Sequence, residues 1–136
     1  MQEQMTAEQL RKAKRPKFKG RDNTKYGKRH TPGVMNKTEE AYASVLADLV
    51  TFGEVLRWEF EAVTFKLAKD CRYTPDFMIL FKDGTMEFVD AKGGGPMDDK
   101  SRVKARVAAE KFPQFTFAIC QRLPKKSGGG WKREEF

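Results

Sequence analysis

Residues 73–92 read YTPDFMILFKDGTMEFVDAK, and the reading of this stretch decides the fold. Tyr73–Phe81 and Met86–Ala91 are two apolar runs of strand length, rich in residues that favour a pleated, half-buried surface. Between them, Lys82-Asp83-Gly84 suits a three-residue hairpin loop, with Gly84 at the left-handed position that makes a bulge. In that register Phe81 opposes Thr85, and Asp76 opposes Asp90 directly. Directly opposed Cβ atoms lie roughly 4.5–5.5 Å apart.

Working outward, Asn36 and Glu39 have the spacing of a capping box. Tyr42, Val45, Leu46, Leu49 and Val50 follow at helical spacing, and Gly53 suits the helix end. Glu59–Leu67 alternates loosely and reads as a strand, followed by a polar connection at Lys69–Arg72. Beyond the hairpin, Gly93-Gly94-Gly95-Pro96 ends the strand. Asp98 or Asp99 caps a helix to about Lys111, and Phe115–Cys120 is a last strand. The expected class is α/β: a mixed sheet of about four strands flanked by helices, in the order α-β-β-β-α-β. Three segments result: a basic, flexible arm at 1–35, a folded domain at 36–122 and a flexible tail at 123–136.

Charge divides along the same boundary. The chain of 136 residues carries 27 Lys and Arg against 19 Asp and Glu, a formal net charge of +8. Residues 1–38 hold 11 of the basic residues and 3 of the acidic ones, while residues 39–136 hold 16 of each. A neutral body therefore carries a basic arm, and a basic arm points to nucleic acid. No apolar run approaches the roughly 20 residues of a membrane span, and the N-terminus lacks a signal-like apolar stretch. The expectation is a cytoplasmic protein with no membrane partner. Cys71 and Cys120 form no metal-binding or disulfide pattern, and the single histidine, His30, lies in the arm. Catalysis, if present, runs on carboxylates and lysines.

Asp76, Asp90 and Lys92 are the candidates. Asp90 and Lys92 stand two apart on one strand and so share a face. Two facing carboxylates among apolar residues repel unless a proton or a cation lies between them. A hard divalent ion that keeps waters for a substrate phosphate resolves the conflict, with Lys92 beside it to position water and steady developing charge. Plainer roles stand beside these: Asp76 as a turn residue after proline, Asp90 as the partner of Lys92. Glu39 is the capping-box glutamate, yet it also lies over the apolar stripe of the first helix, where it can reach the sheet.

An acidic residue on a first helix, Pro-Asp on a strand and D-x-K on the next strand together resemble the PD-(D/E)XK nuclease superfamily. The matching residues are Glu39, Asp76 within YTPDF, and Asp90 and Lys92 within VDAKG. NKTEEAYA and DDKSRVKARVAAEKFP extend the likeness to a small phage-encoded family over about residues 24–122. Most relatives carry Glu where Asp90 stands. The resemblance implies a restriction-endonuclease-like core and a DNA endonuclease dependent on Mg²⁺ or Mn²⁺. It further implies metal ligation by Asp76, Asp90 and the Ala91 carbonyl, orientation of the attacking water by Lys92, and metal binding by Glu39 through water or at a second ion. By analogy with small phage members, the substrate is branched DNA such as a Holliday junction. That substrate needs two active sites and hence a homodimer.

Lys100, Lys104 and Lys111 share a face of the second helix just after the site, either as phosphate contacts or as a solvated face; Arg102 and Arg106 point away from it. Lys25, Lys28 and Arg29 in the arm are further candidate DNA contacts. A second reading keeps the fold and drops the chemistry: a basic DNA-binding or recruiting protein whose nuclease-like site is idle.

Overall fold

The structure is a computed structural model and describes residues 31–97 and 99–136. Most of the arm, with Lys25, Lys28 and Arg29, lies outside the described residues, and so does Asp98 as a helix cap. Helix α1 spans Lys37–Thr51. Both halves of the capping box are made: Asn36 Oδ1 accepts from Glu39 N at 2.9 Å, and Glu39 Oε2 accepts from Asn36 N at 2.8 Å. Its buried residues are Glu39, Tyr42 and Leu46, whereas Val45 and Val50 remain exposed. The buried stripe is therefore narrower than the periodicity implies.

The strand expected at 59–67 is two strands, β1 (Val55–Phe60) and β2 (Phe65–Ala68). They are separated at Glu61, whose φ of 48° turns the chain out of the extended region. The run expected as one strand from Tyr73 is likewise β3 (Cys71–Tyr73) and β4 (Phe77–Phe81). Pro75 lies at that break, where it cannot donate to a ladder and restricts the residue before it. β4 and β5 (Met86–Lys92) then form the expected hairpin, with Phe77 opposite Val89 and Leu80 opposite Met86. Gly84 has φ +86°. Helix α2 (Asp99–Lys111) crosses over to β6 (Thr116–Arg122), which runs parallel to β5.

The segment 123–136, expected as a flexible tail, forms a 3₁₀ turn at Lys125–Ser127 and strand β7 (Trp131–Glu135), antiparallel to β6. Its lysines and glycines hide a partner that only the sheet reveals. Arg133 of β7 pairs with Glu87, a carboxylate buried on central strand β5. The result is a five-stranded mixed sheet in the order β1-β4-β5-β6-β7 and a separate two-stranded sheet of β2 and β3. The order of elements thus departs from the expected one because two strands are split and one is added.

β5 is buried along most of its length because both faces of the sheet are covered. On one face Val89 and Ala91 join Phe77, Ile79 and Leu46 of α1. On the other, Phe88, Phe117 and Ile119 meet Ala105 and Ala108 of α2, and Phe65, Leu67 and Tyr73 of the β2–β3 hairpin. Phe77 is fully buried against Tyr42, Trp58 and Phe60. Phe77→Ala is expected to cost about 3–5 kcal/mol in urea unfolding, against about 1 kcal/mol for loss of the cap in Asn36→Ala. A loss at Phe77 no larger than that at Asn36 would contradict this core.

Candidate active site

Above Phe77 and Val89 the two strands stop exchanging ordinary ladder bonds, and their carboxylates take over. Asp90 Oδ1 accepts from Asp76 N at 3.1 Å, and Asp76 Oδ2 accepts from Ala91 N at 2.9 Å. Each aspartate thus braces the other's strand, as the hairpin register implies. Asp90 is buried at 4% exposure. Its second oxygen, Oδ2, accepts from the Tyr73 hydroxyl at 2.7 Å.

Tyr73 escaped the sequence reading, which placed it on the same strand as Asp76. The break at Pro75 turns the chain, so β3 brings Tyr73 back over Asp90 from the separate hairpin. The available signal was the Pro-Asp pair itself, since proline interrupts a strand whatever the apolar pattern around it. Buried and beside Asp90, the Tyr73 hydroxyl is pushed well above the usual phenol range and remains a neutral donor.

The electrostatics follow from burial. Asp76 is pushed up to about 7, first by desolvation and then by the Asp90 charge; the Ala91 N–H and Lys92 pull the other way, while Glu39 adds to the rise. Asp90 is also raised by desolvation, against the Tyr73 hydroxyl, Lys92 and the Asp76 N–H. Both carboxyls therefore resist ionisation unless positive charge arrives.

Asp76, Asp90 and Lys92 line a cavity of about 310 Å³ together with Tyr73, Lys100 and Lys104. One wall is the end of β3 and the other is the first turns of α2. Lys111 lies elsewhere along α2, donating to the carbonyls of Lys66 and Leu67 at 3.0 and 3.2 Å. Arg102 pairs with Glu134 and Arg106 lies over Phe136, so both face β7 and not the cavity. Glu39 does not line the cavity; it is buried at the start of α1, and its capping bond occupies Oε2. That helix start nevertheless adjoins the end of β5, since a Cβ on Gly93 would lie 3.5 Å from Thr38 Oγ1. Among the described residues no group of three or more His, Cys, Asp or Glu is gathered closely enough to hold a metal; Asp76 and Asp90 are linked through backbone N–H groups and not to each other.

No helix among the described residues is long and apolar enough to cross a membrane. Compared with known proteins, the chain matches no family model, no curated protein and no solved structure.

The raised carboxyls set a pH dependence. The native state holds protons on Asp76 up to about 7, against 3.8 for the ordinary group. Native protein thus binds more protons than unfolded chain across this window, and stability falls as pH rises through it. Urea unfolding in chelator between pH 4 and 8 should show that decline, and Asp76→Asn should flatten it. A wild-type slope preserved in the variant would assign the protons elsewhere.

Proposed function

We propose that the protein is a divalent-metal-dependent DNA endonuclease that hydrolyses phosphodiester bonds on a restriction-endonuclease-like core. The observation that supports it is the braced pair Asp76 and Asp90 beside Lys92, in one cavity with Lys100 and Lys104. Half-buried Asp76 and buried Asp90, whose ionisation is opposed by desolvation and, for Asp76, by the Asp90 charge, form a donor set suited to Mg²⁺, which binds one or two carboxylates and keeps several waters. Asp76 and Asp90 would hold Mg²⁺ or Mn²⁺, with the Ala91 carbonyl as an added ligand and Glu39 acting through water. When bound, the metal supplies Lewis-acid polarisation of the phosphate and a lowered pKa for water.

The remaining chemistry belongs to the chain. Lys92, half-buried at the end of β5, orients the attacking water and offsets the charge that develops on the phosphate. Lys100 and Lys104 on the facing wall receive the backbone phosphate. Tyr73 holds Asp90 in one rotamer by its hydroxyl, and the Ala91 N–H does the same for Asp76. The phage-like motifs point to branched DNA such as a Holliday junction in phage DNA metabolism, and a two-fold dimer accompanies that substrate.

A panel of four-way, flapped, nicked and linear DNAs with Mg²⁺ or Mn²⁺ tests the reading. Cleavage should prefer branched substrates. It should fall by about 10²-fold or more in Lys92→Ala, and as far in Asp90→Ala. Salt-sensitive binding without cleavage of any substrate would leave a DNA-binding module, and full activity in both variants would displace the site.

A further inference from the structure

The hairpin β2–β3 stands apart from the main sheet and packs on α2. Its alternation buries Phe65, Leu67 and Tyr73 and turns Lys66 and Arg72 to solvent. Lys66 and Arg72 are direct cross-strand partners. Like charges directly opposed on an antiparallel pair are destabilising. Neither residue joins an ion pair among the described residues. Several of the body's acids are paired elsewhere: Glu54 with Lys82, Glu59 with Arg57, Glu87 with Arg133 and Glu134 with Arg102.

Helix α2 adds to the same strip of charge. Lys104 Nζ donates to the Arg72 carbonyl at 3.1 Å, and Lys111 Nζ donates to the carbonyls of Lys66 and Leu67. Each strand of the hairpin therefore carries one α2 lysine on its backbone carbonyls, Lys111 on β2 and Lys104 on β3. A lysine ammonium has three donors, so both keep hydrogen-bonding capacity. Asp70 and Glu110 are the nearby acids in sequence and leave the strip with a positive surplus. At one end Lys104 also lines the cavity with Lys92. From Lys100 to Lys111 the helix rises about 16 Å, the length of about five phosphates on one duplex strand.

We propose that the β2–β3 hairpin and α2 form a phosphate track that leads the DNA backbone to the cavity, with Lys66 and Arg72 as its outward contacts. The assignment of the cavity rests on the nuclease reading above; the track itself is measured by binding alone. The hairpin is thereby a substrate-binding element and not a connection between strands.

The test uses the full chain in chelator, so that cleavage does not enter, with binding to a mixed-sequence DNA duplex followed by fluorescence anisotropy between 50 and 200 mM salt. Lys66→Ala combined with Arg72→Ala should weaken binding and reduce the slope of log K against log salt by about 1.8. Lys66→Arg with Arg72→Lys should keep the slope. Arg57→Ala with Lys82→Ala, which removes the same net charge from β1 and the adjoining loop, should leave it nearly unchanged. Thermal unfolding of the Lys66 and Arg72 variant should show no loss of stability, since a like-charge pair has been removed. An unaltered slope in that variant, or an equal drop in the Arg57 and Lys82 control, overturns the track. Because cleavage is scored separately with metal present, an active nuclease with an unaltered slope loses only the track. A reduced slope in a protein that never cleaves loses only the nuclease.

Discussion

A buried carboxylate, Asp90, set against a half-buried one, Asp76, is the constraint around which the other elements are arranged. Asp76 and Asp90 face each other at the end of an apolar strand pair, where burial strips solvation from their charge and neither can relieve the other. What makes the arrangement tenable is a set of donors from separate elements. Asp76 N and Ala91 N come from the strands themselves, and the Tyr73 hydroxyl comes from the β2–β3 hairpin. That hairpin must dock on α2 to present it, and α2 must cross from β5 to β6 on that face of the sheet. Lys92, two residues after Asp90, adds the nearby positive charge.

A second buried carboxylate shows the same logic used for structure. Glu87 is central in the sheet and is compensated by Arg133 from β7, an edge strand whose own sequence is almost wholly charged. Glu87 is ion-paired with an arginine, whereas the hydrogen bonds of Asp76 and Asp90 come from neutral donors and Lys92 acts on both by charge.

Much of the frame was legible. Asn36 and Glu39 announced the first helix, Lys82-Asp83-Gly84 announced the hairpin and its register, and the approach of Asp76 to Asp90 followed from that register. The failures share a cause. Runs 59–67 and 73–81 looked continuous because apolar alternation persists across Glu61 and Pro75, yet a positive φ at one and a missing N–H at the other divide each run between two sheets. β7 was invisible because WKREE has no apolar alternation and is held by the edge of β6 and the need of Glu87.

The sequence by itself determined the periodicities, the turn chemistry and the local pairing, because these depend on neighbours a few residues away. It also determined that residues 39–136 are electrically neutral, with 16 charges of each sign. Only the tertiary structure decided where those charges lie. It paired several acids with basic residues near β1 and β7, set Lys104 and Lys111 on the carbonyls of Arg72 and Lys66, and placed Lys104 in the cavity with Lys92. It also brought Tyr73 onto Asp90. Such placements depend on which faces pack together, and packing joins residues far apart in the chain by burial, which local spacing does not encode.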